Sequence, residues 1–278
     1  MRIGHFLNAY RSGGTDKILS SKIVNWPNKK DQHIIFCNSE FNKLNLLKRK
    51  LRGKAKFIIY RSSIFSKLNH NRSYNLIGFS YAAIYYMLIC YVIMPFEIIY
   101  LLKYLNSPKL DAIFIHNGGW PAARITRSAF FAARIVNIKK IFIIIHSIAQ
   151  RKSLFYGLQE TIIEFLLKFL KVNILTVSKE AKSKILKNTF LSVSKIIYNG
   201  VVVKKTSKLK MVQLKKQLNL GKKKFIISTI GTIDHNRGQE VLVKCLANLK
   251  KNIPDVILLI IGSGRSIEIN KIKRLVKH

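Results

Sequence analysis

Apolar and polar positions along this chain come in blocks rather than in strict alternation. Residues 225–230 (FIISTI) and 256–261 (VILLII) are largely apolar runs rich in β-branched side chains. Between them Val241, Leu242, Cys245, Leu246 and Leu249 recur at the spacing of one helix face. A strand apolar on both faces belongs in a parallel sheet covered by helices. Residues 225–264 therefore predict a strand–helix–strand unit, with the loop 231–238 at the carboxyl end of its first strand. In open α/β sheets that edge is where ligands bind. The same block pattern runs through the first two hundred residues. Strands are predicted at 2–7, 33–37, 56–60, 111–117, 139–146, 173–178 and 195–201, with helical patterns between them. Strict alternation of strands with helices is the signature of a doubly wound α/β sheet.

Two stretches interrupt this rhythm. Residues 73–96 (SYNLIGFSYAAIYYMLICYVIMPF) carry no charge and are long enough to cross a bilayer. Pro95 and Glu97 cut the run, however, and tyrosines 74, 81, 85, 86 and 91 are scattered along it instead of gathering at its ends. Predicted sheet strands also flank it on both sides, and a single crossing would separate them. The expectation is a buried or membrane-lying helix. The second stretch, 202–224, is lysine-rich with one short helical pattern, and places the domain boundary: 1–203, a basic linker 204–224, and 225–278.

Composition adds a strong field. Lys and Arg number 50 against 12 Asp and Glu, a formal charge of +38 over 278 residues. Such a chain attracts anionic surfaces: nucleic acid, acidic lipid or phosphorylated ligands. The lysines are scattered, and neither zinc-finger spacing nor an RNA-recognition signature occurs, so no specific nucleic acid is expected. Helices bearing Arg124, Arg127 and Arg134, and Lys179, Lys182, Lys184 and Lys187, are candidates for lipid-facing charge. Cys37, Cys90 and Cys245 lie far apart in apolar contexts, as reduced core thiols of a cytosolic protein do. The opening MRIGHFLNAY has His5 and Asn8 inside its apolar run, unlike a secretory signal.

The candidate chemistry sits in loops. In 231–238, Gly231 and Gly238 allow tight turns. Arg237 stands just before a helix whose first amides favour an anion. Read alone, the same loop is also an ordinary strand–helix turn with a solvated arginine; its glycine spacing is not the dinucleotide fingerprint. Residues 8–14 (NAYRSGG) bring Gly13 and Gly14 to the end of the first strand, with Thr15 as the expected helix cap. His116 and His146 both stand where a strand meets a loop, and His116 reads as structural.

Together these stretches resemble the GT-B glycosyltransferases of family 4. Gly231-Thr232 and Arg237-Gly238 stand where that family has GR and KG, and Gly13-Gly14 where it has a double glycine after the first strand. His146-Ser147 stands where it has His and a small polar residue. Thr176-Val177-Ser178 resembles its VS motif and residues 196–201 (IIYNGV) its IPNGV. The resemblance implies a complete Rossmann-like acceptor-side domain followed by an incomplete second one, because the family's later paired-glutamate stretch is missing and the chain looks truncated. It implies retaining transfer from a nucleotide-sugar to a lipid-linked or saccharide acceptor in surface polysaccharide or lipopolysaccharide synthesis. His146 would contact the transferred sugar, and Gly13, Gly14, Gly231 and Arg237 would hold the donor. No cofactor and no metal are expected, and no Asp-x-Asp triplet occurs. The expected location is peripheral, on an anionic membrane at its cytoplasmic face. The alternative is a non-catalytic basic protein that binds membrane or nucleic acid.

Overall fold

Seven segments form one parallel sheet in a computed structural model of the chain, which describes residues 1–10, 13–61, 92–121, 124–149, 154–203, 206–220 and 225–277. The strands are β1 (Arg2–Leu7), β2 (Gln32–Asn38), β3 (Ala55–Tyr60), β4 (Ala112–Asn117), β5 (Lys140–Ile145), β6 (Asn173–Thr176) and β7 (Lys195–Ile196), in the spatial order 3-2-1-4-5-6-7. All six pairings are parallel. The apolar runs form central strands because both of their faces are buried. The predicted strand 195–201 leaves the sheet after Ile196, where only two residues pair with β6.

Helices α1 (Gly14–Val24) and α2 (Leu44–Lys50) pack on one face, where Leu19, Ile23 and Leu47 meet Leu7, Ile35 and Cys37. The other face is covered by α3 (Met94–Leu105), α4 (Arg124–Ile135), α5 (Leu154–Phe169) and α6 (Lys179–Asn188), through Leu101, Phe130, Leu167 and Ile185 among others. The helix after β1 starts two residues earlier than Thr15 as a cap would allow. Gly13 is its cap residue, and the Gly13 amide donates to the Asp16 carboxylate at 2.6 Å. Asp16 reaches that amide from inside the first turn, which a threonine at position 15 does not do here.

Residues 73–91 of the uncharged stretch lie outside the described residues. Its end is α3, which buries Met94, Glu97, Leu101 and Leu105 and exposes Phe96 and Ile99. Among the described residues no helix is long and apolar enough to cross a membrane.

Two of the arginines expected to face lipid are buried instead. Arg124 grips Glu97 with two hydrogen bonds, of 2.8 and 3.2 Å, and Ser128 Oγ donates to the same carboxylate at 2.8 Å. Arg127 pairs with Glu160. A charge so far from water is tolerated only when paired, and the helix spacing of these arginines could not reveal their acids on α3 and α5. Cys245 is exposed, contrary to the core position read for it, because it falls on the solvent side of its helix.

The chain divides into Met1–Val202 and Val203–His278. The second unit holds α7 (Lys208–Gln217), β8 (Phe225–Ile230), α8 (Gln239–Asn252), β9 (Val256–Ile261) and α9 (Ser266–Lys277), with β8 and β9 parallel. It is a two-stranded parallel strand–helix–strand unit of the Rossmann type. The loops leaving its two strands are joined by a bridge between Ile233 and Gly264. Gly262 is required there: a Cβ would lie 1.8 Å from the Gly231 carbonyl oxygen.

Candidate functional site at the carboxyl edge

In the first domain the chain winds outward in both directions from β1 and β4, so the loops that leave these two neighbours diverge. That switch point is where an open sheet forms a crevice. The loop from β1 leads to Gly13 and Gly14; the loop from β4 is Gly118 to Pro121; and β5, next to β4, ends in His146. Gly13, Gly14 and His146 thus lie on one edge of one sheet.

Neither glycine is demanded by packing. Gly13 has extended angles that any residue adopts, and a Cβ at either position would meet nothing within 4 Å. Both are exposed at the amino end of α1, where helix amides favour negative charge. The empty space beside them suits the approach of a ligand's own bulk.

His146 is tied down from two sides. Its amide donates to the Asn117 carbonyl at 2.9 Å, and Trp120 and Ala149 form a bridge just beyond. Gly119 keeps these loops close, since a Cβ there would be 3.2 Å from the Ile148 carbonyl oxygen. Glu164 of α5, fully buried, anchors the β4 loop by accepting from Trp120 Nε1 at 3.0 Å. The ring of His146 stacks on that of His116, with its Nε2 3.1 Å from His116 Nδ1. Its Nδ1 has no hydrogen-bond partner among the described residues.

The pair belongs to a longer row. His116 stacks on His5 with ring centres 5.8 Å apart, and His5 Nε2 lies 3.1 Å from His33 Nδ1. The row crosses β2, β1, β4 and β5 on a single face of the sheet. Burial and neighbouring positive charge hold these imidazoles neutral. Burial, helped by His33 and Lys22, takes His5 down to about 3. Burial takes His146 to about 4, with a smaller push from Lys22. It depresses His116 well below the ordinary value, with His5 and His146 adding to the effect. A neutral imidazole is poorly suited to donating a proton as an acid at neutral pH, but it can hold a hydroxyl group by a hydrogen bond.

His116, read from sequence as structural, is therefore a direct neighbour of the candidate catalytic group. Asn117 is a second residue that sequence reasoning missed. It is buried at the end of β4, and both polar atoms of its side chain lack a partner among the described residues. Such atoms call for an explanation in a folded protein, and a ligand at this edge supplies one. The sequence signal was present: FIHN and IIIH each place a polar group at the end of an apolar run.

In the second unit, Gly231 follows β8, and Arg237 ends a 3-10 turn (His235–Arg237) just before α8. Gly238, with φ of 73°, makes the left-handed turn into the helix. Gln239 ties the loop together, donating from Nε2 to the Thr232 carbonyl at 3.0 Å. The Arg237 side chain is exposed. Among the described residues, no three His, Cys, Asp or Glu side chains gather as metal ligands would.

No protein-family model matches the chain. No curated protein matches it. Solved structures do. A glycosyltransferase from Rickettsia africae ESF-5 is similar over 99% of this chain and 64% of its own, with a TM-score of 0.66 at 16% identity. The N-terminal domain of trehalose-6-phosphate phosphatase from Candida albicans is similar over 99% and 67%, with a TM-score of 0.58 at 14% identity. UDP-GlcNAc 2-epimerase from Neisseria meningitidis, bound to UDP-GlcNAc, is similar over 100% and 69%, with a TM-score of 0.53 at 15% identity. At such identities the likeness is one of fold, and the fold is of the GT-B type. The chain spans about two-thirds of the length of these proteins.

Proposed function

We propose that this chain is the acceptor-side domain and the first part of the nucleotide-sugar domain of a family 4 glycosyltransferase. In this reading it transfers a sugar, with retention and without a metal, from a nucleotide-sugar to a lipid-linked or saccharide acceptor. The observation that carries the reading is the switch-point edge itself. The amino end of α1 with its unobstructed glycines, a neutral His146 oriented by His116, and the unsatisfied amide of Asn117 all lie on it. Helix amides and Arg237 would stabilise the departing diphosphate, and His146 would hold a hydroxyl of the sugar being moved.

The reading includes a peripheral place on an anionic bilayer. On α5, Ile162, Phe165, Leu166 and Phe169 are exposed by 42 to 81% and recur at the spacing of one helix face. Phe190 stacks on Phe165, and Lys168, Lys171 and Lys187 lie close by in sequence. An apolar stripe rimmed by lysines favours an acidic lipid surface.

Ligand-observed NMR with UDP-glucose, UDP-GlcNAc and GDP-mannose tests the donor site. One of them should show saturation transfer to the chain that is lost in Arg237→Ala. Absence of transfer with any nucleotide-sugar refutes the donor assignment. Co-sedimentation tests the membrane. Binding should require acidic lipid and weaken with salt and in Phe165→Asp/Phe169→Asp; equal binding to neutral vesicles refutes it.

A further inference from the structure

The sheet face that carries the histidine row is covered by α1 and α2 over β1 to β3. Beyond α1, over β4 and β5, it opens into a trough of about 490 Å³. Its walls are apolar: Trp26 and Pro27 on one side, Ile197, Val201 and Val202 on the other, with Phe114 and Ile144 on the floor. The rings of His5 and His116 complete the floor, but their nitrogens are buried within the row, so they present mainly carbon. A volume of this size is that of a small-molecule site, and such sites pair apolar walls with a few polar groups.

The polar groups stand at one end. Ser21, Lys22 and Asn25 belong to the last turn of α1 and its cap, the opposite end of that helix from Gly13 and Gly14. The polar end of the trough is therefore remote from Gly13 and Gly14, while its floor shares His116 with the carboxyl-edge site. Lys22 is half-buried, and no carboxylate forms an ion pair with it among the described residues. Loss of water lowers its pKa. The helix C-terminus gives the ammonium some compensation. An anion held at this end of the apolar trough would complete the compensation.

We propose that the trough binds a single-chain anionic amphiphile, with a carboxylate or phosphate-monoester head on Lys22 and its hydrocarbon chain on Phe114 and Ile144. The charge selects an acidic head, and the walls select an unbranched apolar tail. The two tryptophans of the chain give a readout, since Trp26 lines the trough while Trp120 is buried in the core.

Titration of the full chain with dodecanoate, dodecyl phosphate, dodecanol and acetate, below micellar concentration, tests this by calorimetry and tryptophan emission. One equivalent of an acidic amphiphile should bind saturably and shift the Trp26 emission. Dodecanol should bind roughly tenfold more weakly, the loss expected for one charged hydrogen bond, and acetate should not bind. The tighter of the two acids identifies a free fatty acid or a phosphorylated lipid fragment as the source. Lys22→Met should bring the acid down to the affinity of dodecanol with an unchanged circular dichroism spectrum, and Val201→Trp should weaken acid and alcohol alike. Equal binding of dodecanol and both acids overturns the proposal, as does unchanged affinity in Lys22→Met. So does concentration-dependent self-association that Val201→Asp abolishes, which would assign the trough to a second copy of the chain.

Discussion

Acidification should unfold the first domain well before its carboxylates are neutralised, and the histidine row sets the size of the effect. In an unfolded chain an imidazole titrates near 6.5. In the folded domain burial holds His5 at about 3 and His146 at about 4, with His116 depressed as well. Because these folded values lie below the unfolded one, the row's contribution is fully present above about pH 6.5. It is lost as the pH falls toward the folded values, since the unfolded chain takes up protons that the folded chain refuses. Between neutrality and about pH 5 His5 and His146 each cost about 2 kcal/mol, or about 4 kcal/mol together, and His116 adds to the loss. Domains of this size hold only about 5–15 kcal/mol in all, so the loss is a large share. Urea titrations followed by tryptophan emission report this domain alone, because Trp26 and Trp120 both lie in it. The midpoint should drop steeply from neutral pH to about pH 5. His5→Phe should flatten the dependence by about 1.4 kcal/mol per pH unit, the contribution of one proton. A midpoint that does not move with pH, or an identical slope in His5→Phe, would refute the reasoning.

Three further outcomes are expected. Glu97→Gln should destabilise the first domain by about 3–5 kcal/mol by leaving Arg124 buried without its acid, whereas Glu97→Leu/Arg124→Met should recover most of that loss in the same urea assay. Gly262→Ala should disrupt the second unit, because its Cβ would collide with the Gly231 carbonyl; Gly13→Ala should change stability by less than about 0.5 kcal/mol yet weaken nucleotide-sugar binding. With a thiol reagent at neutral pH, Cys245 should react promptly, while Cys37, whose pKa burial raises to about 12, should react only on unfolding.

The sequence by itself determined the alternation of seven strands with helices and the parallel strand–helix–strand unit that follows it. Long apolar runs in strict alternation with helical faces admit few arrangements, and connection rules fix which strand ends share an edge. The place of Gly13, Gly14 and His146 at that edge was legible for that reason: His146 directly follows β5, and the two glycines open the helix that returns from β1. Residues 62–91 lie outside the described residues, so the reading of the uncharged stretch stays a sequence expectation over most of its length. What the sequence withheld was register and neighbourhood. Alternation along a strand tells which residues share a face, but not which residue of the next strand stands beside them. His33, His5, His116 and His146 lie up to 141 positions apart in the chain, and only the pairing of Ile3 with His33, of Leu7 with His116 and of His116 with Ile144 sets them in one row. The buried ion pairs follow the same logic. Arg124 and Arg127 look like a solvated helix face until α3 and α5 bring Glu97 and Glu160 against them. A charge pattern along one helix is a local property, while burial depends on which elements the chain folds over it.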